Sequence, residues 1–508
     1  MPLKTDSYDY IVVGGGSAGC VVAARLSEDP GVRVLLLEAG SAHPLDAVAV
    51  PPAWPGLLGT TADWADATVD QACVGGPVSW SHGRGLGGSS NINAMGFLRG
   101  HRSGYDAWPA AGAKGWGFDD LLPFFKRSET VQGRDSANRG TSGPMVVAPV
   151  ADPNPLAAAI LEAAVQTGHR RATDIGGGLE EGFGWLDLNI VDGRRFGAAE
   201  AYLRPALDRP NLHVLTDTLV HRVLLSGERC TGVEYSAADG SGGATVAHGT
   251  REVIITAGTI GTAQTLLLSG IGPAQHLRDV GVNVLVDLPG VGANLHDHPM
   301  TGVTYTSTRP VPMSTANHSE IGGLVRSGLG GEVPDLQMIS VSVPFFSPAF
   351  QGPTSGYTII TALMAPHSRG TLRLADALPG TRPLLDPRYL SDPRDVDTWV
   401  AGMEMVRDIG RAAALDPWRD EEILPAPRVQ GAALRAWVGK SLMTYFHYTG
   451  TCRIGTDDMA VVDPELRVRG IEGLRVADAS VMPSIPSANT HATVIAIAER
   501  AADLLRRT

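Results

Sequence analysis

An α/β protein is predicted, with a doubly wound parallel sheet in one region and an antiparallel sheet with helices in another. Three observations predict it. Near the N-terminus a β-branched run leads through a glycine-rich turn into helical sequence and then a second apolar run. In the middle of the chain Glu252 to Ala257 (EVIITA) reads as a central strand followed at once by a helix. Between about 301 and 449, stretches such as Asp335 to Val343, Tyr357 to Met364 and Gly370 to Leu374 alternate in polarity, which suits an antiparallel sheet with one buried face.

The elements follow in order. Tyr10 to Val13 is short and β-branched, as a buried strand is. Gly14-Gly15-Gly16-Ser17-Ala18-Gly19 then has GxGxxG spacing, and Cys20 to Leu26 has helical composition. Each glycine has a mechanical reason: Gly14 permits the tight turn, Gly16 lets a pyrophosphate approach the backbone, and Gly19 lets the helix pack on the strand. The helix start, at Ser17 and Ala18, presents free N–H groups and a partial positive charge to phosphates. Val32 to Leu37 is the second strand and ends at Glu38, which is placed to accept hydrogen bonds from ribose hydroxyls. Strand, glycines, helix, strand and acid within about 30 residues predict a Rossmann-like dinucleotide site. An acid there repels a 2′-phosphate and disfavours NADP; the motif alone leaves NAD and FAD open.

A second glycine-dense segment runs from His82 to Arg99 (HGRGLGGSSNINAMGFLR). A backbone so free of side chains can lie against a flat ligand, with Ser89, Ser90, Asn91 and Asn93 bonding its polar edge. Ile92, Ala94, Met95 and Phe97 are too apolar for a solvated loop tip. Gly258 opens a helix over Thr259 to Leu268, which Gly270-Ile271-Gly272-Pro273 ends. Gly328 to Gly331 and Asp239 to Gly243 read as exposed turns, and no internal repeat or low-complexity stretch interrupts the chain.

Composition narrows the function classes. The 508 residues include 41 Lys+Arg against 53 Asp+Glu, a formal net charge of −12, which argues against nucleic acid and against an anionic membrane surface. With 43% hydrophobic and 19% charged residues the chain is no disordered polymer, and 62 Gly and 35 Pro indicate many tight turns. No apolar run reaches about 18 residues, so no membrane span is expected. Met1 to Tyr10 holds no apolar leader segment. Cys20, Cys73, Cys230 and Cys452 are too scattered for a disulfide framework or a metal cluster and suit a reducing, cytoplasmic setting.

Farther on stand Arg382 to Arg394 (RPLLDPRYLSDPR), His447-Tyr-Thr-Gly-Thr-Cys452 and Leu474 to Pro483 (LRVADASVMP). Together with Gly83 to Arg99 and Gly258 to Pro273 they lie in the order found in the glucose–methanol–choline (GMC) oxidoreductases. The sequence resembles that family of FAD-dependent alcohol oxidases and dehydrogenases, in its bacterial type, over essentially the whole chain. The resemblance implies FAD as cofactor. It also implies a discontinuous FAD-binding domain, residues 1–160 with 196–300 and 450–508, beside a substrate-binding domain of residues 161–195 with 301–449.

Oxidising an alcohol with a flavin needs a base for the hydroxyl proton and a donor for the developing alkoxide, and the α-carbon must be held over flavin N5 for hydride transfer. Histidine suits the base because its ordinary pKa lies near neutrality. His447 is the one of 14 histidines at the family's catalytic position. His491, in Ser487-Ala-Asn489-Thr490-His491-Ala492, matches the family's second catalytic position, a His or Asn that hydrogen-bonds the substrate oxygen. Asn489 is its rival, and is expected instead to bond free N–H groups near the helix start. The helix beginning near Ala492 would aim its positive end at the flavin pyrimidine. By the same resemblance Gly88, Asn93 and Ala94 line the flavin, the backbone at Val220 reads adenine, and Asp478 with Ala479 lies near the ribityl and pyrophosphate.

Two departures matter. The position where some relatives attach FAD through a histidine is Ile92 here, so FAD is expected to be non-covalent. The catalytic motif has Tyr448 in place of the commoner proline; it either narrows the pocket, bonds substrate or simply packs. Cys452 reads as a buried small hydrophobe. His296, Asp297 and His298 (NLHDHP) are adjacent and point different ways, so no metal site is expected there. The predicted activity is oxidation of a small-molecule alcohol CH–OH to aldehyde or ketone, with O2 or another electron acceptor recovering the electrons. Phe345, Phe346, Tyr445 and Phe446 are expected to make the pocket partly apolar. The alternative is a hydroxynitrile lyase-type flavoprotein using His447 for non-redox proton transfer; a flavoprotein with dead chemistry is disfavoured by the pair of histidines.

Overall fold

The structure, a computed structural model, describes residues 7–507; the reading of the first six residues as free of a leader lies outside the described residues. The strands of the first sheet run in the order Leu212–Leu215, Val34–Leu37, Ser7–Val13, Thr245–Ile255, Arg229–Ala237 and Thr218–Ser226, with Leu474–Val476 also paired to Thr245–Ile255. Five of them are mutually parallel: Leu212–Leu215, Val34–Leu37, Ser7–Val13, Thr245–Ile255 and Leu474–Val476. Gly14, Glu38, Thr256 and Ala477 therefore emerge side by side at the carboxyl ends of their strands, where open α/β sheets hold ligands. The strand expected at Glu252 to Ala257 begins earlier, at Thr245, because its first half pairs antiparallel with Arg229–Ala237.

The helix Ser17–Leu26 covers this sheet with Cys20, Val21, Val22 and Ala23, all fully buried. Its other side meets the last helix, His491–Arg506. That pairing is locked by charge. The Glu499 carboxylate is fully buried, receives Arg25 Nη2 at 2.7 Å, and accepts the Tyr202 hydroxyl at 2.9 Å. A buried carboxylate is tolerable only with such partners, and here they fix the helix that carries His491.

The second sheet is antiparallel throughout, in the order Arg419–Leu424, Pro299–Ser307, Tyr357–Leu363, Leu336–Val341, Ile321–Val325 and Gly182–Trp185. Contrary to the expectation of one buried face, Leu336–Val341 and Tyr357–Leu363 are buried along their whole length. The helix Pro393–Arg411 covers one side: Trp399 Nε1 donates to Thr361 O at 3.1 Å. Trp399, Met403 and Val406 recur at helical spacing and are fully buried, each contributing about 1.5–3 kcal/mol. Ile339, Val341 and Ile360 face the other way, into a cavity shared with the first sheet's loops. Alternation in the sequence marks two sides of these strands, but the polar side is buried as well: Thr304 Oγ1 and Thr358 Oγ1 pair at 2.9 Å, while Thr361 Oγ1 has no hydrogen-bond partner. Thr371–Arg373, expected in this sheet, forms a separate ribbon with Leu384–Asp386. Among the described residues no helix is long and apolar enough to cross a membrane.

Candidate active site

One cavity runs from the glycine turn to the second sheet. Gly14, Gly16, Ser17, Ala18, Glu38, Gly88, Asn93, Ala94, Val220, Asp478 and Ala479 all line it, as do His447 and His491. Gly19 does not, in keeping with its packing role. A Cβ on Gly19 would stand 1.8 Å from Gly14 O, and Gly14 itself turns with φ at 100°, a conformation side chains resist. Gly19→Ala should therefore force the helix off the turn and give protein purified with less than a tenth of the native flavin. Full flavin content in that variant, read from its visible absorbance, would remove this role.

The elements around the turn explain why each predicted residue is where it is. Gly16 caps the Ser17–Leu26 helix without any side-chain bond, so its leading N–H groups remain free for an anion. Gly88 closes over them, and a Cβ there would lie 2.8 Å from Gly16 Cα. Glu38 Oε2 accepts Gly15 N–H at 2.7 Å, and Oε1 accepts Gly40 and Gly85 N–H at 2.8 and 2.9 Å. Beyond its expected ribose contact, this acid ties three glycine segments together. Asp478 accepts Gly258 N–H at 2.9 Å, Thr262 Oγ1 at 2.5 Å and Ser480 N–H at 2.8 Å, joining the ends of two parallel strands.

The 82–99 segment departs from expectation in one respect. Its polar side chains hold the loop rather than present a bonding edge. Ser89 Oγ accepts Gly83 N–H, Ser90 Oγ donates to Gly87 O, and Asn91 Nδ2 donates to Leu86 O. Asn93 Oδ1 accepts Met95 N–H and Arg195 Nη1. Ile92 is buried with Val48, Leu57 and Ala62.

His447 sits on a kinked segment laced to residues 296–298. Tyr445 N–H donates to His298 O, and His296 and Thr449 exchange two backbone hydrogen bonds. Phe446 between them takes a left-handed backbone, φ 63°, a strain of about 1–3 kcal/mol of the kind found at functional sites. Asp297 holds the kink: its Oδ1 accepts His447 N–H at 2.9 Å, and its Oδ2 accepts Thr444 Oγ1 at 2.6 Å and the Tyr389 hydroxyl at 2.5 Å. The His447 ring is engaged at both nitrogens, Nδ1 with His298 Nδ1 at 3.0 Å and Nε2 with Asn489 Nδ2 at 3.3 Å. Burial pushes the His447 imidazole down to about 3 and, with Arg195 nearby, His491 down to about 4. Both rings are neutral at pH 7. Burial pushes the Asp297 carboxyl up to about 6 against the pull of its donors.

His491 opens the last helix, and its ring meets Phe97 edge-on at 5.6 Å. Both of its nitrogens are buried without a hydrogen-bond partner in the protein. Asn489, expected to cap that helix, does not: the cap position is Thr490, with no side-chain bond, and the Asn489 amide turns to His447 instead. Gln337 Nε2 donates to the Asn489 Oδ1 at 3.5 Å, which leaves Nδ2 to face His447. Tyr448 lines the cavity while it stacks on Trp80 at 3.9 Å and donates to Ser81 O. Cys452 is fully buried, which pushes its thiol pKa up. Of the expected aromatics, Phe345, Tyr445 and Phe446 line the cavity; Phe346 lies instead against Gly352, and Trp54 takes its place. Among the described residues no cluster of His, Cys, Asp and Glu is arranged to hold a metal, since His296 and His298 are bonded to Ile485 N–H and to His447.

The sequence pattern described as GMC oxidoreductase matches residues 8–300 with its N-terminal part and 366–498 with its C-terminal part. The chain belongs to the GMC oxidoreductase family. It is similar to the mitochondrial choline dehydrogenase of Homo sapiens, 38% identical over 99% of this chain and 90% of that protein. In three dimensions it is similar to pyridoxine 4-oxidase from Mesorbium loti, with a TM-score of 0.95, 37% identity and 99% of each chain covered. It is also similar to the formate oxidase of Aspergillus oryzae, whose structures concern modification of its FAD: TM-score 0.91, 26% identity, 99% of this chain and 98% of that one. As a GMC member the protein is an FAD-dependent oxidoreductase acting on a CH–OH-bearing substrate. The cradle fits the cofactor. The free helix start at Gly16 and the close glycine wall at Gly88 suit a pyrophosphate, and the two unpartnered nitrogens of buried His491 mark where polar ligand atoms belong. FAD is held non-covalently, with Ile92 at the attachment position used by some relatives.

Proposed function

We propose that the chain oxidises an alcohol to an aldehyde or ketone, with His447 as general base and His491 as hydrogen-bond donor to the substrate oxygen. One observation carries this reading: a buried, neutral imidazole in the cavity, its Nε2 facing Asn489 and its backbone pinned by Asp297. Bound FAD supplies an acceptor for two electrons as hydride at its N5. The protein's own residues do the rest. His447 Nε2 takes the hydroxyl proton, His491 N–H steadies the alkoxide oxygen, and the apolar wall of Ile339, Val341, Ile360 and Phe345 excludes water. Gly14, Gly16, Ser17, Ala18, Glu38, Gly88, Asn93, Ala94, Val220, Asp478 and Ala479 form the FAD cradle, with Gly19 as its packing support. The division into residues 1–160, 196–300 and 450–508 for FAD, and 161–195 with 301–449 for substrate, belongs to the same proposal.

The substrate is a partly apolar alcohol. Among the described residues the carboxylates lining the cavity are Glu38, Asp66 and Asp478. Glu38 and Asp478 already accept three donors each, and Asp66 pairs with His82 at 2.8 Å. Choline is named as substrate of one relative, and the aromatic walls at Trp54, Phe345 and Tyr445 suit a quaternary ammonium as well as an apolar group. A panel of benzylic, furanic, aliphatic and choline-like alcohols, added without oxygen, should bleach the flavin for at least one member; air then reports whether O2 recovers the electrons. Flavin that stays oxidised with every alcohol while a cyanohydrin is cleaved would replace this reading with the lyase.

A further inference from the structure

We propose that His298 is a positioning residue that fixes the tautomer of His447, leaving Nε2 as the proton acceptor in the cavity. The inference deepens the reading of His447 as base and rests on it for its consequence, though not for its geometry. Three contacts in series carry it. His298 Nε2 lies 3.2 Å from Met364 O, His298 Nδ1 lies 3.0 Å from His447 Nδ1, and His447 Nε2 lies 3.3 Å from Asn489 Nδ2.

The proton positions follow by elimination. A carbonyl oxygen only accepts, so His298 Nε2 carries the hydrogen toward Met364. Both imidazoles are neutral because burial and their mutual proximity disfavour charge. A neutral ring with hydrogen on Nε2 has a lone pair on Nδ1. His298 Nδ1 must then accept, and His447 Nδ1 must carry the hydrogen between the two rings. His447 Nε2 is left with its lone pair, and the amide N–H of Asn489 faces it as donor. Both ends of the chain, a carbonyl and an amide, demand the same direction.

The consequence is chemical as well as geometric. When an alcohol O–H displaces the Asn489 N–H from that lone pair, its O–H bond breaks and its proton bonds to His447 Nε2, the new positive charge forms on a ring already donating Nδ1–H to a neutral acceptor. Carboxylates more often serve there; Asp297 is used on the backbone instead, and its Oδ2 is filled by Thr444 and Tyr389. The ring orientation is set too, since the His298 and His447 planes stand at 89°.

The test uses FAD-loaded protein with 15N-labelled histidine, in the absence of substrate. His447 is identified in long-range proton–nitrogen spectra as the signal lost in His447→Gln. The expected result is a protonated Nδ1 and an unprotonated Nε2 from pH 6 to 8. The reverse tautomer, or an averaged signal, overturns the proposal. His298→Leu removes the acceptor and keeps the ring's space filled; flavin reduction should slow on the order of 10- to 100-fold with KM little changed, and His298→Asn, which keeps an accepting oxygen, should recover most of it. An unchanged rate in His298→Leu overturns the proposal as well. Should that variant not fold, the spectrum of the native protein still decides. A native spectrum of the expected form beside flavin that no alcohol reduces would count against His447 as base and not against the tautomer.

Discussion

His447→Gln should remain yellow and be reduced by its alcohol about a thousandfold more slowly than the native enzyme. A positioned base contributes on the order of 10²–10⁴-fold, and glutamine retains bulk and polarity while offering no nitrogen lone pair of comparable basicity. The ring is not part of the FAD cradle around Gly16 and Gly88, so flavin content should be unchanged. Stopped-flow reduction without oxygen gives the rate directly. The native enzyme should also show little loss of that rate from His447 protonation between pH 8 and 5, because burial holds the imidazole down at about 3. A histidine at its ordinary pKa would be charged at pH 5 and slow the reaction about 30-fold. A variant within threefold of the native rate would take the base assignment away from His447.

The folded protein should lose stability between pH 7 and pH 5 through its buried histidines, on the order of 4 kcal/mol from His447 and His491 together. His296, His298, His447 and His491 are all fully or almost fully buried and all shifted downward, with burial the first cause in each. The sign follows from proton counting. The unfolded chain protonates these rings near their ordinary pKa of about 6.5, and the native protein does not until far lower pH. Stability from each is therefore complete above about pH 6.5 and drains away as pH falls toward the native values, about 2 kcal/mol by pH 5 for each of His447 and His491. Asp297 works in the opposite sense. Its carboxyl is raised to about 6, so the native state gains a proton there first and recovers about 1 kcal/mol. Urea midpoints at the two pH values measure the balance. Stability that stays level or rises toward pH 5 would contradict neutral burial of these four rings.

The cofactor half of the molecule was legible because its signals are local. Gly14 to Gly19 and Glu38 lie within one strand–helix–strand unit, and the reasons for each glycine act over a few residues. That His447 and His491 share one cavity was legible from motif, not from chemistry, since nothing near either one in sequence says what its ring touches. What the sequence hid is what joins distant segments. Asp297 and His298 read as part of an adjacent triplet with His296 that holds no metal, and nothing there says that they support His447 from 150 and 149 residues away. Asn489 is next to a helix start and reads as a cap; only the fold turns its amide to His447. The alternating strands misled for a similar reason. Period two reports that a strand has two sides, and the helix Pro393–Arg411 that closes the second side is specified elsewhere in the chain.

The arrangement of the first sheet has a consequence for how the protein comes into being. Strand ends at Val13, Leu37, Ile255 and Val476 stand shoulder to shoulder, so the earliest-made part of the cradle is completed by nearly the last. At about 5–20 residues per second on the ribosome, the glycine turn is in existence for roughly half a minute to a minute and a half before Asp478 and His491 are made. A chain interrupted in that interval has the glycine turn but lacks Asp478 and His491, which complete the cavity wall.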